Sequence, residues 1–149
     1  MLDQRIAFIG SGAMAEAMIS GLLRGNLSKP QSLHASDTRQ ERVEELQKKY
    51  AIQPFTDNSK AVAQTDVVIL SVKPQRLTEV LAGLKGSIPA KALVLSIVGG
   101  APIGKIGSGL GHKAVVRSMP NTPAQINGTE LRYWTTETLG RSIDAVERP

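Results

Sequence analysis

The sequence predicts a doubly wound α/β fold with a mainly parallel sheet. Two observations predict it: short, solidly apolar runs alternate with helical patterns, and the first run ends in a glycine-rich turn that opens a helix. At 149 residues the chain is one domain's worth and long enough for a substantial core. A strand that is apolar at every position must be covered on both faces, which a parallel sheet flanked by helices provides. Strands are expected at Arg5–Gly10, Ser32–Ser36, Asp66–Ser71, Ala92–Val98 and Ala114–Met119, in the order βαβαβαβαβ.

The first run, Ile6-Ala7-Phe8-Ile9, leads into Gly10-Ser11-Gly12-Ala13-Met14-Ala15, a G-x-G-x-x-A sequence. In that pattern the first glycine makes the tight turn and the second lets backbone approach a pyrophosphate. The small residue at the end lets helix and strand pack closely. The helix that follows would aim its free N–H groups and positive dipole end at the phosphates. From Ala13 to Arg24 the sets Ala13/Ala17/Gly21, Met14/Met18/Leu22 and Ala15/Ile19/Leu23 are apolar at i,i+4 spacing, and only Glu16/Ser20/Arg24 is polar. This helix is therefore expected to be buried on most sides.

The second strand ends at Ser36-Asp37, and Asp37 lies 22 positions after Ala15, where a ribose contact is needed. Asp37 would accept from ribose hydroxyls, which favours NAD. Arg39 could pair with a 2′-phosphate, which favours NADP, or stand solvated in the first turn of the next helix. The residues leave both cofactors open. The next helix, Arg39–Tyr50, offers Val43, Leu46 and Tyr50 to the core, with Glu44–Lys48 and Glu45–Lys49 pairs on a solvated face. After the Asp66–Ser71 strand come Val72-Lys73-Pro74, then a helix over Gln75–Leu84 presenting Leu77, Val80, Leu81 and Leu84. The Ala92–Val98 strand ends in Gly99-Gly100, and the last strand runs into Met119-Pro120-Asn121-Thr122-Pro123. All these segments sit at strand carboxyl ends, the side on which open α/β sheets bind ligands.

Composition narrows the function further. The chain has no cysteine, which removes disulfides, thiolate metal sites and a cysteine nucleophile and fits a reducing cytoplasm. The apolar stretch after Arg5 is far too short for a signal peptide or a membrane span. A net charge of +5 raises nucleic acid as a partner, but the basic residues are scattered and the five aromatics form no stacking array. A positive field that attracts an anionic cofactor is the better account. His34 sits on an expected strand and His112 in a glycine-rich loop, and neither has a carboxylate at ligand spacing, so both are expected to be structural and no metal site is expected.

Taken together, SVKPQ at 71–75 and VRSMPNTPAQ at 116–125, with the opening glycine loop, resemble the pyrroline-5-carboxylate reductase family across nearly all of residues 5–136. The resemblance implies an NAD(P)H-dependent reduction of the cyclic imine to L-proline, a small-molecule activity. It implies cofactor contacts from Ile9, Gly10, Ser11, Gly12, Ala13 and Met14 at the pyrophosphate. Ser36, Asp37 and Asn58 would lie on the adenosine side. Ser71, Val72, Lys73 and Pro74, with Ile97, Val98 and Gly99, would line the path to the nicotinamide, and Met119, Pro120, Asn121 and Thr122 would lie near nicotinamide and substrate. No catalytic acid is required, since a cyclic imine protonates readily. Many relatives have alanines in place of Val98 and Gly99, a harmless departure; many also lack an acidic residue at position 37, and Asp37 puts a firm NADP preference in doubt.

The resemblance also implies that residues 1–136 form the cofactor domain and 137–149 a tail, with the family's helical dimerisation domain absent from these 149 residues. Apolar surface around Tyr133 and Trp134 would then favour self-association. Two other readings stand beside this one: a reductase of another imine or carbonyl substrate, and a non-catalytic NAD(P)-binding or redox-sensing module.

Overall fold

Side-chain alternation along each strand decides which helix covers which face. In the computed structural model, which describes residues 3–118, β1 (Ile6–Ile9) sends Ile6 and Phe8 to one side of the sheet and Ala7 and Ile9 to the other. Strand β4 (Val67–Leu70) divides in the same way, Val67 and Ile69 against Val68 and Leu70. All four residues of each strand are buried, as a sheet covered on both faces requires.

On the first face Ile6, Phe8 and Ile69 pack with Ala15, Met18, Ile19 and Leu22 of α1 (Ala13–Arg24) and Leu46 of α2 (Gln40–Tyr50). On the second face lie α3 (Asn58–Val62), α4 (Leu77–Leu84) and α5 (Ile103–Leu110), which bury Ala61, Leu77, Leu81, Leu84, Ile106 and Leu110 against Ile9, Leu70 and Val94. With β2 (Leu33–Ser36), β3 (Gln53–Phe55), β5 (Leu93–Ser96) and β6 (Val115–Arg117), the sheet has the order β3-β2-β1-β4-β5-β6, and every pairing is parallel. The chain thus winds outward from β1 in one direction and then, from β4, in the other. The doubly wound expectation is borne out.

Several details differ from the sequence reading. The described residues form six strands, and β3 with the short α3 behind it departs from the expected strand list. Gln53 is exposed and Pro54 removes a ladder donor, so the segment lacks the apolar run that marks the other strands. It is an edge strand paired only to β2, where proline is tolerated. Helix α5 is hidden by three glycines within eight residues, which lower helix propensity; its packing against the sheet supplies the missing stability. Arg39 is the N-cap of α2 and not its first helical residue, and Tyr50 is half-buried. Glu45 pairs with Arg42, and Lys49 with Glu16 across helices, in place of the expected Glu45–Lys49 pair. Both histidines donate to backbone carbonyls, His34 Nδ1 to Ala61 at 2.8 Å and His112 Nε2 to Ala92 at 2.7 Å. No helix among the described residues is long and apolar enough to cross a membrane.

Candidate functional site at the sheet's switch point

Because β1 lies between β2 and β4, the connections after those strands diverge and leave a crevice at their carboxyl ends. A cleft of about 340 Å³ opens there. Gly10, Ser11 and Gly12 form its wall after β1. Ser36, Asp37 and Arg39 contribute from the end of β2, Asn58 from α3, and Ser71, Val72 and Lys73 from the end of β4. Four crossovers separated in sequence thus converge on one cavity.

The two glycines of the loop have different physical reasons. Gly10 has φ +93°, and a Cβ there would stand 2.8 Å from the Ser71 carbonyl oxygen, so folding itself requires glycine. Its peptide is tied on both sides: Gly10 N–H donates to Ser36 O at 3.0 Å and the Ser71 hydroxyl donates to Gly10 O at 2.6 Å. Gly12 has φ −84°, open to any residue, and a Cβ there would meet nothing within 4 Å. No packing demand excludes a side chain at Gly12. The space is open cleft in front of the N-terminus of α1, where Gly12 is the N-cap and no side chain caps the helix. The first-turn N–H groups of any helix lack intrahelical acceptors, which makes a helix N-terminus beside a cleft a ready anion site.

Ser11, wholly buried, is held from several directions. Its N–H donates to Asp37 Oδ2 at 3.1 Å and its hydroxyl to Ser36 O at 2.9 Å. Asp37 also accepts from Arg39 through Nε at 3.0 Å, Nη2 at 3.1 Å and the backbone N–H at 3.0 Å. Burial pushes the Asp37 carboxyl up, but these hydrogen bonds from Arg39, with the Ser11 amide, outweigh it and hold the group below the usual carboxylate range. The Arg39 guanidinium, exposed at the rim, is held more firmly protonated by the same carboxylate. The Ser36 hydroxyl donates to Asn58 Oδ1 at 2.6 Å, so the donor Asn58 can offer a ligand is its amide NH2.

Not every residue singled out from sequence reaches the cleft. Ile9 is buried in β1. Ala13 and Met14 belong to the first turn of α1, with Met14 packed against the core, and Pro74 starts an exposed 3-10 turn. Ile97 packs against the first core face and Val98 is buried in the second, while Gly99 follows them; none of the three lines this cavity. Met119, Pro120, Asn121 and Thr122 lie outside the described residues. The cleft also takes in Thr38, Arg76 and Val80, which sequence reasoning passed over. Arg76 and Val80 follow Lys73 by one and two helical turns, a spacing that could have flagged the start of α4 as a continuation of the wall.

Sheet order, glycine turn and switch-point cleft define a Rossmann-type domain. Within that class the chain belongs to the family described as NADP oxidoreductase coenzyme F420-dependent, which matches residues 5–100. It is similar to the pyrroline-5-carboxylate reductase of Methanosarcina acetivorans, at 38% identity over 85% of this chain and 47% of that protein. It is likewise similar to that of Pseudomonas aeruginosa, at 41% identity over 83% of this chain and 45% of that protein. Among solved structures, a pyrroline-5-carboxylate reductase from Coxiella burnetii superposes with TM-score 0.78 and 30% identity, covering 84% of this chain and 47% of that one. The chain spans about half the length of the relatives it matches.

Proposed function

We propose that this chain is the cofactor-binding part of a pyrroline-5-carboxylate reductase, with residues 1–136 as the cofactor domain. The observation that carries the reading is the uncapped α1 N-terminus opening through Gly12 onto a switch-point cleft, in a chain 38% identical to a protein of that name. The residues present fit an NAD(P) cofactor. The Gly12 amide and the N-terminus of α1 offer donors to a pyrophosphate, while Asp37, Arg39 and the Asn58 amide offer acceptors and donors to an adenosine ribose or its phosphate. Lys73 supplies a cation on the path toward the reacting ring. When bound, reduced nicotinamide supplies the hydride for the C=N carbon of pyrroline-5-carboxylate. This chain's part is to bind and orient; a cyclic imine protonates readily, so the reaction needs no dedicated acid, and His34 and His112 each donate to a backbone carbonyl.

The test is a fusion of this chain to the remaining half of the Pseudomonas aeruginosa relative, assayed for NAD(P)H oxidation with pyrroline-5-carboxylate. Substrate-dependent oxidation is expected. A folded fusion that binds NADPH and stays inert toward the imine would refute the substrate assignment and favour a non-catalytic module or a reductase of another substrate.

Cofactor preference follows from the Asp37–Arg39 pair. Asp37 suits a free 2′-hydroxyl and Arg39 a 2′-phosphate, and each now holds the other. NADH and NADPH are expected to bind within about tenfold of each other, or roughly 1.4 kcal/mol. Asp37→Ser should move the ratio toward NADPH and Arg39→Ala toward NADH. An unchanged ratio in both variants, read by titration of nicotinamide fluorescence, would remove this pair as the discriminator.

A further inference from the structure

Arg42 on α2 does not line the cleft, yet it holds the cleft's glycine loop from behind. Its Nε donates to the Ser11 carbonyl at 2.7 Å and its Nη2, more loosely, to the Gly12 carbonyl at 3.4 Å. The side chain is only 15% exposed and is fixed by two carboxylates, Glu16 Oε1 at 2.8 Å and Glu45 Oε1 at 2.9 Å. Glu16 is itself a node: its other oxygen accepts from Lys49 Nζ and from the Tyr50 hydroxyl, each at 2.8 Å. Lys49 first, then Tyr50 and Arg42, hold the Glu16 carboxyl down to about 2 against the opposing effect of its own burial. The anchor therefore stays charged throughout the physiological range.

Two carboxylates neutralise Arg42, so it is poorly suited to bind a phosphate itself. Its geometry does something else. In a trans peptide the C=O and the following N–H point in opposite directions. Drawing the Ser11 carbonyl toward α2 therefore turns the Gly12 N–H away from α2, and the Gly12 carbonyl, which also accepts from the Glu16 N–H at 3.0 Å, leaves the Ala13 N–H pointing the same way. Those are amides that a helix N-terminus leaves for an anion. With Ser11 N–H held by Asp37 and its hydroxyl by Ser36, the Arg42 contacts complete the fixing of that residue.

We propose that Arg42 is a positioning residue for pyrophosphate binding: it pre-sets the loop's amides, so that a diphosphate is bound without first ordering the backbone. This inference rests on the dinucleotide reading above. The same side chain joins α2 to the pyrophosphate loop.

The test compares three probes on the whole chain: NADPH, ADP, and adenosine 2′-monophosphate, which carries a phosphate but no diphosphate. Arg42→Met, of similar length, should weaken NADPH and ADP by roughly tenfold, the scale of lost charge-assisted hydrogen bonds, while leaving adenosine 2′-monophosphate unchanged. Arg42→Lys, which can reach one carbonyl, should recover part of the loss. If Arg42→Met melts below the assay temperature, Arg42→Gln, which retains one amide donor, takes its place. Equal weakening of all three probes would show a merely structural strut, and unchanged NADPH affinity in a folded variant would likewise overturn the proposal. Failure of the unaltered chain to bind either NADPH or ADP would instead bring down the dinucleotide reading, and this inference with it.

Discussion

Gly12→Leu should weaken dinucleotide binding on the order of 100-fold while leaving the thermal melt close to that of the unaltered chain. The asymmetry comes from the geometry at Gly12. Its φ of −84° suits a leucine, and a Cβ there meets no protein atom within 4 Å, so the change displaces no packed group. The leucine side chain would occupy the cleft in front of the α1 N-terminus, where a pyrophosphate must sit against the amides. A ligand then faces both an overpacked contact and lost phosphate hydrogen bonds, together on the order of 100-fold in affinity, or ~2.7 kcal/mol. Gly10 gives the opposite control. At φ +93° with a Cβ 2.8 Å from Ser71 O, Gly10→Ala should lower the melting temperature before binding can be measured at all. Calorimetry and melting curves on both variants check this. A Gly12→Leu chain that binds NADPH normally would show that the loop does not cradle the phosphates.

The second large effect concerns turnover. The 149-residue chain by itself is expected to reduce pyrroline-5-carboxylate at least ~10³-fold more slowly than its fusion to a relative's other half, because orienting the imine against the donor is worth roughly 7–11 kcal/mol. The described cleft is built from the ends of β1, β2 and β4 and the start of α3. Its polar groups suit an adenosine diphosphate, and no described residue encloses a small carboxylated ring beside Lys73. The relatives named for the reaction are about twice as long as the stretch matched here. A steady-state assay decides: robust, saturable NAD(P)H oxidation by the chain alone would mean that it holds a complete substrate site.

Legibility in the sequence followed physical cause. Val67–Leu70 and Ile6–Ile9 announced themselves because a doubly covered strand has no polar position to hide it. The glycine loop was legible because its residues are fixed by a local turn next to a strand and a helix. Strand β3 was not, since an exposed edge containing Pro54 carries neither alternation nor an apolar run. Nor was Arg42. Its partners are carbonyls about thirty positions earlier, and a backbone acceptor leaves no trace in residue identity. Glu16 reads in the sequence only as part of a polar stripe for the same reason: its value lies in Lys49, Tyr50 and Arg42, brought to it by the packing of α2 on α1. At the end of β5 the strand closes at Ser96, two residues before the expected end, yet Ile97 and Val98 still continue its alternation into opposite core faces.

The most direct test of the central claim, that a dinucleotide lies across the strand ends at the β1/β4 switch point, is an amide NMR titration of the unaltered chain with NADPH. Saturable shifts are predicted at Gly10, Ser11, Gly12, Ala13 and Met14, at Asp37, Arg39 and Asn58, and at Val72 and Lys73. The edges of the sheet away from those residues should stay still. Saturating NADPH with no shift at the glycine loop, or with shifts confined to the opposite ends of the strands, would contradict it.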